Sequence, residues 1–192
     1  MTARAAAGVL LLAGAAATAA APVDYQLTPT HSFVHIEWLH AGLSTLQGRF
    51  DQVRGRVQLD REARRGNGRI ELRLDSVNTG RAALDAELRR RFGAEAQAPL
   101  VLELVALRFD GDQPAAAELR WPWRGTQETL VLQAQRFSCY TSPLLLREVC
   151  GGDFSAELDL QALGLLPDPA LRLAPRLRLN VQVEAVRVEG DS

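Results

Sequence analysis

The sequence predicts an all-β domain: about eight antiparallel strands, closed into a barrel or stacked as a sandwich, with a short helix covering one end. Three observations predict it. Apolar and polar residues alternate with a period of two through most of the chain after Tyr25, the pattern of strands with one buried and one wet face. Short turn signals recur between those runs. One segment, Arg81 to Ala96, switches to helical spacing, with Leu84, Leu88 and Phe92 four residues apart.

The first 21 residues stand apart. Met1-Thr2-Ala3-Arg4 carries one positive charge, Ala5 to Ala21 is small and apolar around Val9-Leu10-Leu11-Leu12, and Ala17, Ala19, Ala20 and Ala21 offer A-x-A-like cleavage sites. This is the layout of a secretory signal peptide. The run is shorter than the roughly 20 predominantly apolar residues of a spanning helix, and no later segment is long enough either. Residues 1–21 are therefore read as a signal peptide and 22–192 as one domain, with a periplasmic or secreted destination and no integral membrane span after cleavage.

The strands follow in order. Val34, Ile36, Trp38 and His40 share one parity while His35 and Glu37 take the other. Val53, Gly55, Val57 and Leu59 alternate with Arg54, Arg56 and Gln58, and Ile70, Leu72 and Leu74 alternate with Glu71, Arg73 and Asp75. After the helix, which has Asn78 or Thr79 available as a cap, strands are expected near Leu100–Phe109, Ala115–Trp121, Thr129–Phe137 and Phe154–Leu160. Pro122 cannot donate to a ladder, so its strand should be an edge there or carry a bulge. Turns are expected at Arg65-Gly66-Asn67-Gly68, Asp110-Gly111-Asp112 and Gly151-Gly152-Asp153. The last strand runs through Leu177, Leu179, Val181 and Val183; beyond Ala185 the parity flips to Val186 and Val188, which predicts a bulge or the end of pairing.

Composition and motifs exclude most chemistries. The formal net charge of −1 gives no polyanion-binding surface, so no nucleic acid is expected as a partner. Every basic residue is arginine, which rules out lysine-centred covalent mechanisms. His31 and His35 would lie about 13 Å apart along a strand, too far to share one zinc, and His40 has the opposite parity to His35. No nucleophile elbow, phosphate loop or cofactor motif is present; neither a catalytic residue, a metal nor a cofactor is expected. Cys139 and Cys150, in a chain with an export signal, are expected to pair. Closing that loop would stabilise the fold by about 3 kcal/mol in the chain-entropy picture.

Several fragments, in order, resemble a known family. Tyr25-Gln26-Leu27, His31-Ser32-Phe33-Val34-His35-Ile36-Glu37-Trp38-Leu39-His40, Gly42-Leu43-Ser44-Thr45 and Gly48-Arg49-Phe50 form the opening. Leu74-Asp75-Ser76-Val77-Asn78-Thr79-Gly80 follows, then Asp85 and Leu88, Pro99, Trp123-Arg124-Gly125-Thr126, Cys150-Gly151-Gly152-Asp153-Phe154 and Leu163-Gly164-Leu165. From about Tyr25 to Val188 this resembles the YceI-like proteins, in its cysteine-containing subgroup. The resemblance implies a lipocalin-like barrel that binds a polyisoprenoid, quinone-like or other apolar lipid without catalysis. Leu84 and Leu160 stand where those proteins usually have arginine, and Glu87 where they usually have histidine, so a differing head-group preference is implied.

An eight-strand barrel is just wide enough to be filled by side chains or to hold one small ligand. Lining candidates by parity are Val34, Ile36, Trp38, Val57, Leu59, Ile70, Leu72, Leu179 and Val181, with His40 near one mouth; each has core packing as its ordinary alternative. Pro143-Leu144-Leu145-Leu146 puts three leucines in a surface connection. Either they fold over the barrel end, or Leu144, Leu145 and Leu146 form an apolar rim that meets a membrane or a lipid tail. The competing function is an envelope interaction or stress-protection protein whose barrel is filled; a homodimer stays open.

Overall fold

In the computed structural model, residues 21–93, 98–165, 169 and 172–189 are described. The expected signal peptide therefore lies, apart from Ala21, outside the described residues. Among the described residues no helix is long and apolar enough to cross a membrane.

The strands are β1 (Val23–Leu27), β2 (Phe33–His40), β3 (Ser44–Phe50), β4 (Val53–Asp60), β5 (Arg65–Leu72), β6 (Val77–Asn78), β7 (Leu100–Asp110), β8 (Gln113–Trp123), β9 (Thr126–Ser142), β10 (Arg147–Asp159) and β11 (Leu173–Arg187). A 3-10 turn, Leu74–Ser76, precedes β6, and α1 spans Ala82–Phe92. All pairings are antiparallel. The order β1-β4-β5-β7-β8-β9-β10-β11 closes on itself through β1 and β11, giving an eight-strand barrel. β2, β3 and β6 continue the same sheet from the free side of β11.

β11 organises the closure. One edge pairs with β10 from Val186 to Arg176. Its other edge serves β2 between Leu173 and Gln182, then β1 between Ala185 and Arg187. The β1–β2 connection covers the hand-over: Thr28 donates to the Glu184 carbonyl through both its backbone N and Oγ1, each at 2.9 Å. Buried Ser32 accepts from Glu184 N at 3.3 Å and donates to the same carbonyl at 3.2 Å. These bonds satisfy the Glu184 backbone where the neighbouring strand changes. The outward Val186 and Val188 mark the end of this strand: Val186 still pairs with Gln26, and Val188 N bonds Asp24 O at 2.8 Å.

Two expected turns are strand. Gly66 and Gly68 lie in β5, with the reversal at residues 61–64, and Gly151 and Gly152 lie inside β10. The reason is space. A Cβ on Gly68 would stand 2.5 Å from the Arg56 carbonyl, and one on Gly152 2.4 Å from the Arg136 carbonyl. These glycines let strongly coiled neighbouring strands approach, which is what a small barrel demands. The Asp110–Asp112 turn falls where expected, between β7 and β8. Pro122 pairs with Gln127 beyond the last β7–β8 pair, Glu103 with Arg120, so it sits on a local edge.

The helix closes one end. Leu84 and Leu88 pack with Trp38, Val77, Leu160, Leu163, Leu165, Leu173 and Leu177, and Phe92 packs on Phe50 with ring centres 5.8 Å apart. The leucines at positions 84 and 160 thus spend themselves on this plug. Glu87 pairs along the helix with Arg90 and Arg91. Neither Asn78 nor Thr79 caps α1; Arg81 stands at the cap without a side-chain bond. Instead buried Asp85, in the first turn, accepts from Thr79 N at 2.8 Å and Thr79 Oγ1 at 2.7 Å, a charge placement the helix dipole also favours. Arg89 ties the helix to the preceding turn through the Asp75 and Val77 carbonyls. Gly93 ends the helix in the left-handed region, φ 64°, its N–H bonding Arg89 and Arg90.

Candidate functional site

The inward faces of the eight strands enclose an apolar cavity of about 170 Å³. Val57 and Leu59 come from β4, Ile70 and Leu72 from β5, Leu102 and Leu104 from β7, Leu130 and Leu132 from β9, Phe154 from β10, and Leu179, Val181 and Val183 from β11. Alternation places them there: each strand turns every second side chain inward. Val34 reaches the same space from β2. A second cavity of about 100 Å³ adjoins it toward α1, lined also by Phe50, Phe92, Trp121 and Trp123. Val34, Leu72, Leu102, Leu130 and Leu179 wall both spaces.

Of the lining candidates, Val34, Val57, Leu59, Ile70, Leu72, Leu179 and Val181 face the main cavity. Ile36, Trp38 and His40 do not. Ile36 and Trp38 share the inward parity, but their strand runs past the cavity toward the helix, where both are buried in the plug. His40 pairs with Ser44 and Leu173 at the far end of β2, beyond the plug. Parity names the face of a strand; it does not give depth along the barrel.

The cavity wall offers almost nothing polar. Its one hydroxyl-bearing side chain is Tyr25, and that group is engaged elsewhere: Tyr25 OH donates to Glu148 Oε2 at 2.7 Å, while Arg61 Nη2 donates to Glu148 Oε1 at 2.6 Å. Burial and the adjacent carboxylate push the Tyr25 phenol up to about 12. Burial alone would raise Glu148, but the bonds from Tyr25 and Arg61 and the nearby Arg187 charge hold it below the usual carboxylate range. This trio seals the barrel end opposite α1 as a satisfied network, not a reactive one.

The disulfide lies at the same end. Cys139 and Cys150 are directly opposed on β9 and β10 with Cα atoms 4.0 Å apart, and Cys150 contributes to the cavity wall. Among the described residues, the group of potential metal ligands is Cys139, Glu148 and Cys150; its two sulfurs are bonded to each other. Sequence parity missed Leu102, Leu104, Leu107, Ala117 and Leu119, which line the cavity from β7 and β8. The register of β7 and β8 shifts between Leu104 and Ala106 and again between Arg108 and Phe109, so no single parity runs the length of that hairpin.

Leu144, Leu145 and Leu146 form the β9–β10 turn and do not fold over the barrel. Leu144 and Leu146 are 88% and 81% exposed and Leu145 42%. The four-residue turn is held by Ser142, whose carbonyl accepts Leu146 N at 2.8 Å and whose Oγ accepts Leu145 N at 3.3 Å. That geometry points the side chains away from the sheet.

The sequence profile described as the YceI-like domain matches residues 25–185. No curated protein matches the chain. Among solved structures, the chain is similar to BcnA of Burkholderia cenocepacia, with a TM-score of 0.65 and 11% identity over 82% of this chain and 98% of that one. It is similar to a polyisoprenoid-binding domain from Saccharophagus degradans implicated in plant cell wall breakdown, with a TM-score of 0.61 and 15% identity over 86% and 99%. A YceI protein of Campylobacter jejuni gives 0.64 and 15% over 77% and 88%. At such identities the structures show a shared fold, and the profile match, which spans most of the chain, shows the family. The chain belongs to the YceI-like domain family.

Proposed function

We propose that this is an exported, non-catalytic carrier that holds the hydrocarbon part of one apolar ligand, an isoprenoid or similar lipid, inside the barrel. The observation that carries the reading is the cavity: a closed barrel, made of alternating strands, with an interior whose wall is aliphatic and aromatic. The polyisoprenoid-binding description of a structural relative and the paired cysteines, which suit an oxidising compartment such as the periplasm, agree with it. Since Tyr25 and Glu148 satisfy each other, the polar head of a ligand gains nothing inside and belongs at the barrel surface, in water.

Size sets the mechanism. An apolar cavity of about 150 Å³ holds one benzene, so the 170 Å³ space takes a short hydrocarbon segment as it stands. A longer chain has to continue into the 100 Å³ space by turning aside the leucines that wall both. Each methylene buried contributes about 0.8 kcal/mol, roughly a fourfold gain in affinity.

The test is a length series of isoprenoid alcohols bound to delipidated protein, read by native mass spectrometry and competition. Affinity rises about fourfold per added methylene until the cavity is full, then levels. A protein that takes up none of them at any length overturns the carrier reading. The filled-barrel interaction protein would then be favoured, and the dense packing around α1 is the observation on its side.

A further inference from the structure

We propose that the β9–β10 turn is a membrane-docking finger that seats the protein on a phospholipid bilayer. The inference is independent of what occupies the cavity.

The hairpin leaves its sheet before it turns. The last β8 partner of β9 is Ala116, opposite Gln133, and the last β11 partner of β10 is Val186, opposite Val149. Beyond Gln133 β9 pairs only with β10, and past Val149 the two residues of β10 nearest the turn pair only with β9; the Cys139–Cys150 bond ties the two strands at the base of the tip, where Cys150 still pairs with Ala185. The tip they present is apolar and rigid: three consecutive leucines on a turn closed by Ser142. Tyr140, 59% exposed, sits two residues before Ser142, an aromatic of the kind that settles at the level of lipid headgroups.

Two further features choose the partner. The Arg147 side chain is exposed at the tip and makes no ion pair or hydrogen bond with other described residues, whereas its neighbour Glu148 is engaged by Tyr25 and Arg61. The charge left free on the finger is therefore positive and suits an anionic headgroup. A four-residue turn is also too small for the roughly 800 Å² per partner that a stable protein interface buries. A lipid interface needs no matching shape, and partitioning grows with apolar area alone.

The finger is at the sealed, disulfide end. The other exposed leucine turn, Leu43 between β2 and β3, lies at the helix end, since His40 pairs with Leu173 while Val149 pairs with Val186. Thirteen residues of β11 separate these levels, about 40 Å. One flat bilayer cannot receive both.

The experiment uses protein recovered after export, its N-terminus read by mass spectrometry, in flotation with vesicles of phosphatidylethanolamine and phosphatidylglycerol. The double variant L144S/L146N removes the finger's grease. Leu146 has φ 52°, where asparagine is more at ease than leucine, so the variant keeps the wild-type melting temperature or exceeds it. Its vesicle partitioning falls about a hundredfold, a factor of about ten for each leucine. Arg147→Gln weakens binding about fivefold on these vesicles and not on phosphatidylcholine. Leu43→Ser, at the other end, changes nothing. Wild-type protein that ignores the vesicles overturns the proposal, as does a folded double variant that floats like wild type. Sedimentation decides the other occupant: a dimer that the double variant dissolves, with no vesicle binding, makes the tip a contact between copies and overturns the bilayer. Should the double variant not fold, Leu144→Ser alone gives the same reading at about tenfold.

Discussion

Replacing Ala117 by leucine asks whether the interior space is both real and used. Ala117 is buried on β8 opposite Leu107 and Leu132, and its side chain faces the 170 Å³ cavity. Leucine adds three carbons, roughly 80 Å³ of side chain at protein packing density, a little under half of the space. If the space is empty, those carbons leave water for an apolar site, and at about 0.8 kcal/mol each they stabilise the fold by up to about 2.4 kcal/mol. A domain of this size then melts about 5–10 °C higher. The same three carbons displace an equal length of ligand hydrocarbon. Affinity for a cavity-filling isoprenoid therefore falls by about 2.4 kcal/mol, roughly 50-fold. Calorimetry and ligand titration on one protein sample read both numbers. A variant destabilised by more than about 1 kcal/mol would show overpacking, hence no room. One that is stabilised but binds as tightly as wild type would place the ligand elsewhere. Only gain in stability together with loss of binding fits the reasoning.

Other expectations follow from single contacts. Gly68→Ala drives a Cβ to 2.5 Å from the Arg56 carbonyl and 3.0 Å from the Val57 Cα, fixed backbone on both counts, whereas Gly66→Ala meets the Leu107 side chain, which can turn aside. Urea titrations should show Gly68→Ala costing about 2–3 kcal/mol and Gly66→Ala clearly less; equal costs would mean the β4–β5 approach is not tight. Tyr25 gives an alkaline signature. Its folded pKa of about 12 exceeds the ordinary phenol value of 10.0, so its contribution is fully present below pH 10 and is lost as pH rises toward 12, on the order of 2–3 kcal/mol. Tyr25→Phe should lack that loss in melting profiles between these pH values. Glu148 runs the other way: its lowered pKa gives stability that disappears on acidification, and Glu148→Gln should flatten the acid limb. Asp85→Ala leaves the Thr79 donors without their carboxylate and should cost about 1–3 kcal/mol, seen by thermal melts.

The sequence showed the strands' faces more clearly than their ends or depths. Period-two alternation marked Val57, Leu59, Ile70, Leu72, Leu179 and Val181 as inward, and they line the cavity, because none of them lies at a register break; the one in β11 falls earlier, between Leu173 and Leu177. It carried Ile36, Trp38 and His40 along by the same rule, though β2 runs on past the cavity and into the plug. Gly66, Gly68, Gly151 and Gly152 looked like turns because isolated glycines usually break strands; here they mark where backbones crowd, a tertiary demand invisible to a local window. The α1 cap was missed for a related reason. The sequence offers Asn78 and Thr79 before the helix, but the bond runs from Thr79 to Asp85, inside it. The disulfide was legible from the cysteine count together with the expected export signal. The β7–β8 lining was not, since bulges cancel any single parity there.

The closure of the barrel is uneven, and this bears on how anything large gets in. β10 and β11 are joined over eleven residue pairs, whereas β1 and β11 meet over three, Tyr25 with Arg187 to Leu27 with Ala185. A staved vessel parts at its shortest joint, and local opening of a protein is drawn from its least bonded elements. The bonds of Thr28 to the Glu184 carbonyl extend that joint at one end, and Val188 N on the Asp24 carbonyl extends it at the other. Lateral parting of β1 from β11 would expose Leu27 and Ala185, both of which border the cavity, and would break the Tyr25–Glu148 bond while leaving the disulfide in place. For the proposed carrier, that seam would be a side door, latched by three rungs, the Thr28 and Val188 bonds that flank them and the Tyr25–Glu148 bond.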